Sequence, residues 1–279
     1  MTALFGPAGN PEKFYDEGNK TTMQIPEYLA KMGLAAYEYQ CGRGVNIGLE
    51  TAKNFGKEAT KYNITLSLHA PYYISLSSLE KEKRDNSIKY ILDSAAAADA
   101  MGATRIVVHA GACGKQSREA AMEFAKDTLY RAQIAVDAAG LGHVFICPET
   151  MGKINQLGTL EEVIELCKID TRMMPCVDFG HLNARTLGQI NTKADYEGIT
   201  YIIDRTVFHA HFSKIEFTAG GEKRHLTFAD DEGFGPPYEP LASVMVERGL
   251  TPTIICESAG TQDIDAKYML EVYEKCRRG

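Results

Sequence analysis

His69, His109, Glu149, Asp178, His211 and Glu257 each close a short apolar run of strand type, and His181 follows Asp178 three residues on. A single histidine at the end of such a run is most simply a core side chain. Here six consecutive runs each end in an imidazole or a carboxylate, in a chain with only seven histidines. His209 and His211 lie two residues apart, so on a strand both take the same face. His225, in the Lys223-Arg224-His225 stretch of the following insertion, adds another candidate. His143 stands at the start of its run, at the opposite end from the others, and reads as structural. Mixed imidazole and carboxylate donors suit zinc, and also manganese or iron, whereas an all-oxygen set would suggest magnesium or calcium. With three or four ligands per ion, eight such residues can hold two or three ions if one carboxylate bridges. Two ions about 4 Å apart can activate a water and stabilise both attacking and leaving oxygens of a phosphodiester.

The elements that must position these groups follow a regular alternation. Strand-type runs are expected at 3–6, 35–39, 64–69, 105–109, 144–149, 174–178, 207–211 and 253–257. Helical stretches are expected at 23–32, 47–62, in the alanine-rich segment before Gly102, and at 116–139, 159–167, 239–248 and 264–277. A loop and helix precede the seventh strand, and a long insertion at 213–237 follows it. Eight short runs alternating with helices argue for a parallel α/β architecture. The count, spacing and 279-residue length favour a closed (β/α)8 TIM barrel formed by residues 1–279 as one domain. In such a barrel the active site lies at the C-terminal ends of the strands, where these donors fall. No G-x-G-x-x-G or Walker pattern is present, so no dinucleotide or P-loop site is expected.

The composition narrows the class. Hydrophobic content of 44% and charged content of 24% are those of an ordinary globular protein. A net charge of −7 argues against wholesale nucleic-acid binding but leaves room for a local basic rim beside a metal-filled cleft. Seven cysteines without a CxxC pair fit reduced thiols. With no signal-peptide pattern and no apolar stretch of about 20 residues, a cytoplasmic chain with no membrane partner is expected.

The strand-end motifs resemble those of the endonuclease IV family, zinc-dependent apurinic/apyrimidinic endonucleases (AP endonuclease family 2) on a xylose-isomerase-like TIM barrel. The matching stretches are His69-Ala-Pro-Tyr72, His109-Ala-Gly111, Glu149-Thr150, Asp178-Phe-Gly-His181, His211-Phe-Ser213 and Ile255-Cys-Glu257-Ser258. The resemblance runs from about Phe5 to Asp263. It implies one metal held by His69, His109 and a bridging Glu149, and a second held by Glu149, Asp178, His211 and Glu257. A third would be held by His181, His225 and the aspartate of an Asp-Arg-His motif. Lys223-Arg224-His225 departs from that motif, so the third site is expected to lack its carboxylate unless Glu216, Asp230 or Asp231 supplies one. Gly6-Pro7 also departs from the family's Gly-x-His.

The resemblance further implies cleavage of the phosphodiester 5′ to an abasic site, leaving a 3′-hydroxyl, with Glu149 bridging metals and Glu257 orienting the attacking water. The partner would be damaged double-stranded DNA, the cofactor two or three Zn2+ (Mn2+ or Fe2+ also fitting), and the chain a monomer. Arg43 and Tyr72, with Tyr73 beside it, match the side chains that hold out the abasic nucleotide. Lys115, Lys153, Lys214, Lys223 and Arg224 are candidates for phosphate contacts, against the plainer reading of solvated surface charges. The competing function is a xylose-isomerase-like sugar isomerase or epimerase, using one divalent metal on Glu149, Asp178, His211 and Glu257. It leaves His69, His109, His181 and His225 without a task. A third class, a metal-binding or nucleic-acid-binding module without turnover, fits poorly with so complete a ligand set.

Overall fold

The computed structural model describes residues 2–230 and 233–279. Eight parallel strands form the barrel: β1 (Leu4–Pro7), β2 (Ala36–Gln40), β3 (Thr65–His69), β4 (Arg105–His109), β5 (Phe145–Glu149), β6 (Cys176–Asp178), β7 (His209–Phe212) and, after a hairpin, β10 (Thr253–Cys256). Neighbours in the sheet are neighbours in sequence, save that β10 stands between β7 and β1. The barrel closes where β1 meets β2. Ala35 N donates to Phe5 O, Gly9 N donates to Glu38 O, and Ala8 bridges to Glu38. Gly6 permits this seam: a Cβ there would lie 1.6 Å from the Ala36 carbonyl oxygen.

Around the strands pack α1 (Glu12–Asp16), α2 (Ile25–Met32), α3 (Leu49–Lys61), α4 (Lys81–Ala100), α5 (Arg118–Ala138), α6 (Leu160–Cys167), α7 (Phe179–Arg185), α8 (Lys193–Ile203), α9 (Glu239–Glu247) and α10 (Gln262–Arg278). The long helices bury one face each. In α5 the buried set Ala121, Ala125, Leu129, Ala132 and Val136 recurs at helical spacing, and in α4 the alanines 95, 97 and 98 let the helix sit close to the strands. Ser117 caps α5, and Thr159 with Glu162 forms a capping box on α6.

Most expected elements lie within two residues of their observed bounds. β6 is shorter than the expected 174–178 because Pro175 has no N–H to give the ladder. Within the insertion expected at 213–237, β8 (Lys214–Thr218) and β9 (Gly221–Leu226) form an antiparallel hairpin over the mouth of the barrel. All seven cysteines are unpaired. Among the described residues no helix is long and apolar enough to cross a membrane.

Candidate metal centre

The strand ends deliver the predicted donors to one rim. His69, His109, Glu149 and Asp178 are the last residues of β3, β4, β5 and β6; His211 is the third residue of β7, and Glu257 follows β10. Asp178 also caps α7, accepting from His181 N at 2.6 Å, and that cap sets His181 on the helix's first turn facing the same rim.

Glu149, fully buried, is the hub. Its Oε2 lies 3.3 Å from His69 Nε2 and 3.1 Å from His109 Nε2. Its Oε1 lies 3.0 Å from His211 Nδ1 and 3.5 Å from His181 Nδ1. Burial alone would raise the Glu149 carboxyl's pKa, but the His211 charge and hydrogen bonds from His109, His181 and His211 hold it well below the ordinary range. Conversely, burial pushes the His69 imidazolium down, and Glu149 outweighs that and raises it to about 9. His181, likewise pushed down by burial, is raised to about 10 by Asp178 and Glu149.

Three adjoining groups could each hold a cation: His69, His109 and Glu149; Glu149, Asp178, His211 and Glu257; and His181, Glu222 and His225, with the donor atoms of each group within 4.8 Å of one another. Two observations show that these residues fit metals. Asp178 Oδ2 is buried and makes no hydrogen bond, with His181 Nδ1 3.3 Å away, as a carboxylate oxygen available to a cation would be. Several imidazoles also have one nitrogen engaged by the protein and the other turned to the group. His69 Nδ1 lies 2.8 Å from Ala70 O, His181 Nδ1 3.0 Å from Thr150 O, and His225 Nδ1 2.8 Å from Ser213 Oγ. Outer contacts of this kind fix the tautomer and orientation of ligating histidines.

The third group corrects the expectation that its carboxylate is missing. Glu222, not predicted as a site residue, stands with its Oε2 3.5 Å from His181 Nε2. A β-bulge is responsible. Glu216 pairs with Arg224 and Phe217 with Glu222, so Lys223 is the extra residue on β9. A bulge inverts the two-residue alternation, so Glu222, three before His225, takes the face that position 223 would hold on a regular strand. Lys223 turns outward, and its Nζ meets Glu216 Oε1 at 2.5 Å, while Arg224 Nε meets Glu216 Oε2 at 2.5 Å. Glu216 is therefore engaged on the hairpin's other face, and Asp230 caps a turn at Thr227 N. Asp231 lies outside the described residues. The signal available in the sequence was an acidic residue beside the departed motif, but its facing depended on the bulge.

The hairpin is held against the β5–α6 loop. Glu222 N donates to Gly152 O and Ile154 N to Gly220 O, both at 3.1 Å. Gly221 has φ +89°, and a Cβ there would meet Gly152 O at 2.2 Å; a Cβ on Gly152 would meet Glu222 Cβ at 2.6 Å. Arg185 fixes the loop from below, donating to the carbonyls of Met151, Lys153, Ile154 and Gln156.

His69, His109, Glu149, His181, Glu222, His225 and Glu257 line a cleft of about 430 Å³ whose rim adds Gln40, Tyr72, Lys153 and Gln156, while Asp178 and His211 are not in its lining. Tyr72 is 57% exposed, and its N–H donates to Gly42 O, so the loop bearing exposed Arg43 stands beside it. Lys153 lines the cleft and Lys115 is exposed outside its lining. Lys214 does not face the rim: its Nζ donates to the carbonyls of Phe228 and Asp230. The sequence reading also missed Glu38, buried on β2 against His209 and His211.

Fold and donor set together define a TIM barrel with adjoining groups of candidate metal ligands at its C-terminal rim. Residues 26–276 match the family described as xylose isomerase-like TIM barrel, and the chain belongs to that family. Uncharacterized protein MJ0133 of Methanocaldococcus jannaschii is 31% identical over 284 residues, 98% of this chain and 97% of that one. A probable endonuclease 4 of Acholeplasma laidlawii is 28% identical over 191 residues, 64% of this chain and 61% of that one. Among solved structures, a D-tagatose 3-epimerase-like protein superposes with a TM-score of 0.74 at 18% identity, covering 99% of this chain and 98% of that one. Endonuclease IV from Thermus thermophilus does so with a TM-score of 0.67 at 18% identity, covering 99% of both chains. At such identities the structural likeness speaks for the fold alone.

Proposed function

We propose that this protein is a metal-dependent phosphodiesterase that hydrolyses the DNA backbone 5′ to abasic sites, as in base-excision repair. The observation that carries the reading is Glu149, a buried carboxylate met by four imidazoles and shared between two of three adjoining ligand groups. A single-metal centre has no use for so many donors, whereas phosphodiester hydrolysis uses several cations at once. Zinc suits these nitrogen and oxygen donors, with manganese or iron as alternatives. Bound cations would supply the Lewis acidity that activates water and stabilises the departing oxyanion.

The chain's own residues do the rest. Glu149 bridges the first and second groups, and Glu257, its side chain 16% exposed, reaches the cleft from β10 to orient the attacking water. His69, His109, Asp178, His181, His211 and His225 would hold the cations, with Glu222 completing the third group. Tyr72 and Arg43, on adjoining loops of the rim, hold out the damaged nucleotide. Lys223 and Arg224, exposed on the outer face of the hairpin, meet the phosphates of the duplex, with their charge shared with Glu216. The chain acts as a cytoplasmic monomer in this reading.

A second reading has one specific observation behind it. Glu149, Asp178, His211 and Glu257 alone form a four-donor group that a one-metal sugar epimerase could use. It leaves His69, His109, His181, Glu222 and His225 idle. The deciding experiment is incubation of chelator-stripped, zinc- or manganese-reloaded protein with an end-labelled duplex carrying one abasic analogue. Nicking 5′ to the lesion, abolished in Glu149→Ala and Glu257→Ala, is the expected result. Folded, metal-loaded protein that leaves the duplex intact but interconverts ketoses would overturn the nuclease assignment.

A further inference from the structure

Below the cleft lies a buried polar layer around Glu38, which belongs to none of the three rim groups; the histidines against it, His209 and His211, also form a fully buried candidate group with Cys176. Glu38 on β2 is fully buried, as are His209 and His211, and Ser67 on β3 is nearly so. A carboxylate in a barrel core costs several kcal/mol unless its partners offset the lost water, and apolar packing would serve stability at least as well. Glu38 is fully engaged. Its Oε2 accepts from Ser67 Oγ at 2.8 Å and faces His209 Nε2 at 2.8 Å. Its Oε1 accepts from Gln40 Nε2 at 3.2 Å and lies 3.0 Å from His211 Nε2.

His211 is thus held between two sets of carboxylates. Its Nδ1 is turned to Glu149 and, at 3.6 Å, to Glu257, on the cleft side; its Nε2 is turned to Glu38, on the core side. The Nε2 contact is close but misaligned for a full hydrogen bond. An imidazole that ligates through Nδ1 carries its proton on Nε2, and that proton, in a fully buried ring, then needs an acceptor from the protein. Glu38 Oε1, 3.0 Å away, is the carboxylate oxygen that faces it. Ser67, Gln40 and His209 restrain its two oxygens, so it presents that oxygen in a fixed position.

We infer that Glu38 is a positioning residue for the metal centre: it sets the Nε2–H tautomer of His211, steers its Nδ1 toward the Glu149–Asp178–His211–Glu257 group, and strengthens that nitrogen as a donor. Ser67 and His209 act one step further out, by holding Glu38. The inference rests on the reading of these residues as a metal centre but not on the nature of the substrate, so it is tested without DNA.

The experiment is a cobalt(II) titration of the chelator-stripped full-length protein, followed by the visible absorption of the bound ion and by competition with a chelator. Glu38→Gln keeps the shape but has a single acceptor oxygen and an NH2 group. It cannot accept from His211, His209 and Ser67 together, and so leaves one imidazole facing a donor. The expected result is one cation held about 10–100-fold more weakly, the range for loss of such a partner. Its absorption bands should shift, and a slowly exchanging imidazole N–H signal should be lost from the 15N spectrum of the metal-loaded protein. Ser67→Ala, which removes only one donor to Glu38, should weaken the same cation several-fold and covers the case in which Glu38→Gln does not fold. A merely structural Glu38 would lower thermal stability yet leave affinity and absorption bands as in the wild type, and that outcome overturns the inference. A folded wild type that takes up no cation would overturn it together with the metal-centre reading. Loaded wild type that fails to cut abasic DNA would overturn only the proposed substrate.

Discussion

The bulge in β9 makes a prediction that the sequence motif alone would reverse. Judged by the motif, Lys223 occupies the position of the missing ligand, so changing it should matter and Glu222 should be incidental. Judged by the structure, Lys223 is the extra residue and Glu222 faces His181 and His225. Glu222→Ala removes one of three donors in its group. Loss of a mere outer-shell partner weakens metal sites about 10–100-fold, so loss of a ligand should cost at least that, or about 1.4–2.7 kcal/mol of binding. Lys223→Ala, whatever it costs in contact with the duplex, removes within the protein an ion pair whose lysine side chain is 54% exposed, worth about 0–1 kcal/mol of stability and nothing in metal binding. Deleting Lys223 is the sharper test. It turns the bulge into a regular ladder with Glu222 now two residues before His225, still on the same face. The deletion should therefore keep the third cation. The assay is metal content by elemental analysis after dialysis against graded chelator. A third cation lost on changing Lys223, or kept in Glu222→Ala, would refute the account of the hairpin.

Two further predictions concern the same centre. Without metal, His69 and His181 bind protons more tightly folded than unfolded, with values near 9 and 10 against an ordinary 6.5. Their contribution to stability should be full below about pH 6.5 and lost as pH rises toward 9–10, while metal-loaded protein, which needs these rings neutral, should lack that decline; denaturant midpoints with and without chelator check this, and a flat metal-free profile would refute it. Gly152→Ala should place a methyl against Glu222 and His181, costing about 1–3 kcal/mol and weakening the third cation while sparing the other two; metal titration beside thermal melting separates the effects, and unchanged third-site affinity would count against the close docking of the hairpin.

How much of this was legible in the chain depended on the range of the interactions concerned. The alternation of strand and helix, and the donors at strand ends, follow from local periodicity, so His69, His109, Glu149, Asp178, His181, His211 and Glu257 could be picked out before any coordinates. Parallel strands that all run one way must bring their C-terminal residues to one rim, and that topological rule turned seven separate positions into one site. Glu222, Lys223 and Glu38 could not be read that way. Which way Lys223 points is settled by a register shift between β8 and β9, and a one-residue slip inverts every facing on a strand. Glu38 lies 171 residues from His209, and the two meet only because the barrel closes across its interior. The sequence determined the fold and the kinds of donor, because those depend on spacing along the chain. The tertiary structure decided which carboxylate joins the third group and what stands behind His211, because those depend on register and closure between segments far apart in sequence.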